Sequence, residues 1–160
     1  MFDFAPEPEL DGEELYAELA SAATALVEGE RDPVANMANL AALIWQFVPQ
    51  LNWAGFYRLI DGELVLGPFI GKPACIRIAV GSGVCGTAAL TGESQCVADV
   101  HAFPGHIACD AASQSELVVP VIRDGAIIAV IDLDSPVPAR FGSTDTRGIE
   151  ALARRIAPVI

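Results

Sequence analysis

Residues Ser115-Glu-Leu-Val-Val-Pro-Val-Ile-Arg-Asp-Gly-Ala-Ile-Ile-Ala-Val-Ile-Asp-Leu-Asp134 decide how this chain folds. Two apolar segments flank Asp124-Gly125, and an Asp-Gly pair between such segments is a strong hairpin signal. The spacing predicts strands over 115–122 and 126–134. The pattern recurs upstream, where 52–60 and 63–70 flank Asp61-Gly62. Shorter strands are expected over 75–80 and 95–100, with a helical piece over 85–90 after the turn Gly81-Ser-Gly83. Outside this block the period changes to three and four. Leu15, Leu19 and Leu26 mark one amphipathic helix, with Glu13, Glu14 and Glu18 on its wet side and Gly29 to stop it. Asp32-Pro33 is an N-cap followed by an N1 proline. It opens a second helix through Val34, Met37, Leu40, Ala41, Ile44 and Val48. Ser143 is expected to cap a third, running to about Ala157 with Ile149, Leu152 and Ile156 inward. The sum is an α+β domain spanning 1–160, with residues 1–9 as a loose arm. Its antiparallel sheet carries the terminal helices on one face. The long crossover over 81–114, or a second subunit, hides the other.

The chain has 160 residues, enough for one core without disulfide or metal support. Apolar residues make up 52%, which argues against disorder. A net charge of −12 repels phosphate backbones and anionic lipid, so nucleic acid and membranes are poor partners. Small cationic or zwitterionic ligands suit such a field. No apolar run reaches the roughly 18 residues of a membrane span. The acidic start lacks the pattern of a secretory signal. A cytoplasmic location is therefore expected, where a disulfide among the four cysteines would be transient rather than structural.

Two constellations carry chemistry. Asp132 and Asp134 are two apart on a strand and so share one face, at the end of the apolar run Ile127–Ile131. Glu116 joins them if the hairpin register permits. A two-residue turn at Asp124-Gly125 would pair Leu117 with Asp132 and send Glu116 to the opposite face. A three-residue loop, Arg123-Asp124-Gly125, pairs Glu116 with Asp132 and is the expectation adopted here. Such an acid cluster can bind an ammonium group while its members' charges keep one another partly protonated. Trp53 and Tyr57 share a strand face and could wall the same pocket. The second constellation is Asp99-Val-His-Ala-Phe-Pro-Gly-His-Ile-Ala-Cys-Asp110, a polar, turn-rich stretch that ends on Cys109. His101 and His106 could lower the pKa of that thiol. Cys75 or Cys85 could resolve a sulfenic acid formed on it, and spacing does not choose between them. A zinc set of His101, His106, Cys109 and an upstream cysteine uses the same atoms, but lacks a C-x-x-C pair. Cys96 reads as a filler of an apolar strand. Gly81-Ser-Gly83 lacks the Lys-Ser/Thr ending of a nucleotide-binding loop.

Several motifs together carry a resemblance. They are Asn52-Trp-Ala-Gly-Phe-Tyr57, Gly83-Val-Cys-Gly-Thr-Ala88, the 99–110 stretch, Ser113-x-Ser-Glu116, Ile131-Asp-Leu-Asp-Ser-Pro136 and Arg140-Phe141. From about Ala17 to the end, the chain resembles the free methionine-(R)-sulfoxide reductases, single-domain proteins of the GAF fold. The resemblance implies that Cys109 is the catalytic thiol, Cys75 the resolving thiol and Cys85 an accessory in disulfide exchange. It implies that Glu116, Asp132 and Asp134 bind substrate and that Trp53 and Tyr57 line the pocket. It also implies thioredoxin or another thiol as reductant, with no metal or other cofactor, and a homodimer. Cys96 departs from the family pattern and adds a possible disulfide partner. The rival expectation is a GAF-type module that senses a small molecule or an oxidant without catalysis.

Overall fold

The computed structural model describes residues 4, 6, 10, 12–105 and 110–160. Most of the expected N-terminal arm, and both His106 and Cys109, lie outside the described residues. The elements run α1 Gly12–Leu26, α2 Pro33–Phe47, β1 Trp53–Ile60, β2 Glu63–Gly71, β3 Arg77–Ala79, α3 Gly83–Thr91, β4 Gln95–Val97, β5 Ser115–Arg123, β6 Ala126–Ser135 and α4 Ser143–Ile156. The strands form one sheet of order β3-β2-β1-β6-β5-β4, with every pair antiparallel. The two long hairpins lie side by side at its centre, joined through β1 and β6. Expected and observed elements agree in kind. The short strands are trimmed, and α3 begins two residues early.

The hairpin turn differs from expectation. Arg123 pairs with Ala126, so the loop has two residues, Asp124 and Gly125, at φ +52° and +79°. Both lie in the left-handed region that a tight I′ turn requires. Left uninterrupted, this turn would place Glu116 on the wrong face. A bulge corrects it. Ile122 pairs with Ile127 but Val121 pairs with Ala129, so β6 carries one extra residue. The insertion shifts the rest of the ladder by one, and a one-residue shift exchanges the two faces. Glu116 then pairs with Asp134, and Val118 with Asp132. The turn expectation was wrong, yet Glu116, Asp132 and Asp134 share a face because the bulge restores the parity that a three-residue loop would have produced.

Each sheet face has its own apolar layer. Ala54, Phe56, Leu117, Val119, Ile131 and Leu133 meet α1, α2 and α4 through Leu19, Leu40, Ile44, Ile149 and Leu152. On the other face Trp53, Tyr57, Val118 and Val130 pack against Val84, Cys85 and Ala88 of α3. The crossover thus covers the second face within the chain. Asp32 caps α2 as expected, its Oδ1 accepting from the Ala35 N–H at 2.8 Å. The expected cap of α4 is off by one: Gly142 is the N-cap and Ser143 the first helical residue. Glycine has no capping side chain, and the carboxylate of Asp145 accepts the Gly142 N–H at 2.7 Å instead.

Asp145 also accepts from the Tyr16 hydroxyl at 2.6 Å and from Arg140 at 2.9 Å, which fixes the ring of Tyr16 between α1 and α4. Gly148 is the residue beneath that ring. A Cβ there would stand 2.2 Å from Tyr16 Cγ. Gly148→Ala should therefore destabilise the chain by about 1–3 kcal/mol, the range for forcing extra atoms into a packed contact. Urea unfolding reads this, and a midpoint at or above that of the unsubstituted chain would refute the contact.

Candidate active site

The pocket is built on the sheet face covered by α3. Trp53, Gly55 and Tyr57 alternate onto that face of β1 and lie opposite Asp134, Asp132 and Val130 of β6. Glu116 stands beside Asp134 on β5. The cavity holds about 540 Å³ of empty space, its mouth included. Its floor is acidic, from Glu116, Asp132 and Asp134, and its aromatic wall is Trp53 and Tyr57. Ser82 to Cys85 at the start of α3 close one side, and Lys72 to Ala74, Asp110 and Ser113 complete the lining. Trp53 stacks on Tyr57 at 5.9 Å between centroids and on Phe69 at 5.1 Å. Gly55 makes the second stack possible, because a Cβ there would come within 2.4 Å of Phe69 Cβ.

Burial sets the charges. Glu116 and Asp132 are each 6% exposed. Loss of water pushes all three floor carboxyls up. For Glu116 the neighbouring charges of Asp132 and Asp134 add to that rise. For Asp134 the charge of Asp132 adds to it, while a hydrogen bond from Ser113 opposes it. Asp132 rises least, to about 6, because hydrogen bonds from Cys85 and Glu116 favour its charged form. The floor carboxyls thus hold their protons to higher pH than ordinary carboxyls do. One oxygen of the Asp132 carboxyl, Oδ1, is buried with no hydrogen-bond partner among the described residues. Cys85 is 4% exposed, and burial followed by the carboxylate charges pushes its thiol up, so it remains protonated.

These shifts predict how stability varies with pH. The folded chain retains floor protons that the unfolded chain releases above about pH 4, the ordinary carboxylate range. The folded state then binds more protons than the unfolded state, so the floor lowers stability as pH rises through about 6. Glu116→Gln removes one of these charging groups. Its urea midpoint should gain on that of the unsubstituted chain from pH 5 to pH 8. A gap that stays constant or closes would refute the raised carboxyls.

The lining segments around Lys72 and Asp110 are tied to the start of β1. Trp53 Nε1 donates to the Lys72 carbonyl at 3.1 Å, and the Tyr57 hydroxyl to the Cys75 carbonyl at 3.0 Å. Asn52 Nδ2 donates to Asp110 Oδ2 at 3.2 Å and to Ser113 Oγ at 3.0 Å. Lys72 Nζ meets Asp110 Oδ1 at 3.1 Å. The Ala112 N–H and Lys72 hold the Asp110 carboxyl below its ordinary range.

A GAF-domain family profile matches residues 34–160. The chain is 49% identical over 147 residues to the free methionine-R-sulfoxide reductase of Escherichia coli, covering 92% of this chain and 89% of that one. It belongs to the free methionine-R-sulfoxide reductase family. The free methionine-R-sulfoxide reductase of Neisseria meningitidis in complex with its substrate superposes with a TM-score of 0.92 at 40% identity, over 98% of this chain and 95% of that one. A Staphylococcus aureus fRMsr in complex with substrate superposes at 0.85 with 47% identity, over 89% and 94%.

In this reductase-family chain, Glu116, Asp132, Asp134, Trp53, Tyr57 and Cys85 surround one pocket. Cys75 is half-buried in the segment that follows Lys72, and Cys109 lies outside the described residues. Cys96 is exposed on β4, its thiol facing the Phe141 carbonyl at 3.4 Å, so it is no buried filler. Of the rival zinc set, His106 and Cys109 lie outside the described residues, and His101 is exposed. Among the described residues, ligand atoms of Cys85, Glu116 and Asp132 lie within 4.8 Å of one another, a set that the floor already uses as acids and a thiol. Sequence reasoning missed Lys72 and Ser113 as pocket residues and treated Asp110 only as a flank of Cys109. Asp110 and Ser113 did stand in the quoted motifs. Lys72 carried no signal.

Proposed function

We propose that this chain reduces free methionine-(R)-sulfoxide to methionine with cysteine thiols. The observation that carries this is the acidic floor facing a stacked aromatic wall, with one buried carboxyl oxygen that has no partner among the described residues. A free amino acid brings an ammonium group that pairs with Asp132 and an apolar, sulfur-bearing chain that lies along Trp53 and Tyr57. Methionine within a protein has no such ammonium and would leave the carboxylate unpaired, at a cost of several kcal/mol. The site therefore selects the free form.

The chemistry follows from the protonation states. The Cys109 thiolate attacks the sulfoxide sulfur while a protonated floor acid, Glu116 or Asp134, gives its proton to the oxygen. The oxygen passes to Cys109 as a sulfenic acid, and methionine leaves as the thioether. The Cys75 thiol then attacks the Cys109 sulfur, the S–O bond breaks and water departs, leaving a disulfide. A dithiol such as thioredoxin supplies two electrons and two protons to reopen it. No prosthetic group takes part. Cys85 serves as a hydrogen-bond donor to Asp132, and its accessory part in disulfide exchange would require the pocket to open. A cytoplasmic location fits a disulfide that forms only in turnover. A homodimer completes the proposal, and size-exclusion chromatography at a monomer's mass would remove that part. The sheet face that suggested a partner is covered by α3.

Incubation with the free R sulfoxide and dithiothreitol should release methionine, with the S epimer and the N-acetylated sulfoxide reduced poorly. Absence of methionine would defeat the proposal and favour a sensing module. Replacing dithiothreitol by thioredoxin, its reductase and NADPH tests the recycling partner.

A further inference from the structure

We infer that Lys72, Asp110 and Asn52 form a latch that holds the two thiol-bearing segments in register, and that this latch sets the rate at which the disulfide closes. The inference rests on the proposed roles of Cys75 and Cys109.

Those two cysteines stand 34 positions apart in the chain. Closing a chain over such a span costs entropy unless the structure meets that cost beforehand. Lys72 is three residues before Cys75, and Asp110 directly follows Cys109. Their side chains meet at 3.1 Å, so one ion pair brackets the stretch of chain that the proposed disulfide would close. Each partner is also fixed to β1. The Lys72 carbonyl accepts from Trp53 and the Cys75 carbonyl from Tyr57, which anchors the 72–75 segment at both ends. Asp110 accepts from Asn52, the residue before that strand, and from the Ala112 N–H at 2.9 Å. Asn52, Trp53 and Tyr57 thus act as one ruler against which both segments are set.

An exposed ion pair alone contributes little. Here only the lysine is open: its side chain is 68% exposed, whereas that of Asp110 is 8% exposed. The carboxylate is shielded and has three donors, so the contact is a network with one exposed member. Lys72, Asp110 and Asn52 act through the cysteines and are positioning residues. In the step they serve, the Cys75 sulfur bonds to the Cys109 sulfur, the sulfenic S–O bond breaks, and the hydroxide leaves with the thiol's proton as water.

The test mixes reduced protein with one equivalent of methionine-R-sulfoxide, without reductant, and quenches samples over time with dimedone, which traps sulfenic acid. In the unsubstituted chain, closure should outrun trapping. Lys72→Met and Asp110→Asn should raise the trapped fraction at least about fivefold and slow the loss of the second thiol, because orientation governs such intramolecular steps. Lys72→Arg should restore closure, since guanidinium also donates to Asp110. Lys72→Met changes an exposed side chain and keeps the test valid if Asp110→Asn misfolds. High salt should slow closure in the unsubstituted chain and not in Lys72→Met. If both variants close at the unsubstituted rate while Cys75→Ser accumulates the adduct, the latch is refuted and the thiol roles stand. If Cys75→Ser accumulates no adduct, the thiol roles fail, and the latch with them.

Discussion

Cys109→Ser should form methionine no faster than the reductant does alone. A serine hydroxyl is not ionised at neutral pH and cannot accept the sulfoxide oxygen as a sulfenic acid, so both the nucleophile and the oxygen acceptor are lost. The informative contrast is Cys75→Ser. That variant keeps the proposed attacking thiol and loses the proposed resolving one. Without reductant it should release one methionine per chain and stop, with the sulfenic acid persisting. With dithiothreitol it should turn over slowly, because an external thiol can replace Cys75. Cys85→Ser should behave differently again. Its thiol is buried and protonated, so its loss should affect substrate binding through Asp132 before it affects disulfide exchange. Amino-acid analysis of single-turnover mixtures separates the three. Undiminished turnover in Cys109→Ser would remove the nucleophile assignment outright.

Asp132→Asn should be a severely damaging conservative change on the pocket floor. Asparagine has nearly the same shape, but its amide cannot balance an ammonium. Unpairing one partner of a buried charge pair costs about 2–5 kcal/mol, roughly 30- to 5 × 10³-fold in kcat/KM. The loss should fall mainly on KM, because the ammonium is paired alike in the ground and transition states. Glu116→Gln should fall mainly on kcat, since it removes a proton donor rather than a charge, and general acid catalysis is worth about 10²–10⁴. The pH profile separates the two further. The carboxylate of Asp132 must be ionised to pair, and its folded pKa is raised to about 6. kcat/KM should therefore fall as pH drops through about 6, and this acid limb should vanish in Asp132→Asn. An unaltered limb in that variant would assign the titration to another group. Glu116→Gln should also be the more stable protein at alkaline pH, because it no longer carries a carboxyl that resists charging. On the proposed function, a floor that is costly to ionise is stability given up for activity.

Much of this was legible along the chain because it depends on local rules. Asp61-Gly62 and Asp124-Gly125 can adopt the positive φ of tight turns, so both hairpins followed from two dipeptides. Asp32-Pro33 starts α2 for reasons of capping alone. The shared face of Asp132 and Asp134 is the two-residue period of a strand. The side on which Glu116 falls was not local. It depends on a bulge between Val121 and Ile122 of β5 and their partners on β6, and apolar residues throughout this stretch leave its position unmarked. The length of the turn and the bulge compensate, so the right face followed from the wrong loop.

The sequence by itself therefore determined the element order, the α+β class, the acid pair, the aromatic pair and the family motifs, since each is written in periods of two to four residues or in contiguous strings. Only the tertiary structure decided that all three acids resist ionisation, because that depends on how much water β5, β6 and α3 together exclude. It alone turned Cys85 into a protonated donor on the pocket floor and put exposed Cys96 outside it. It also joined Lys72 to Asp110 across 38 residues, a contact that no periodicity encodes and that exists because both segments are anchored at the same end of β1.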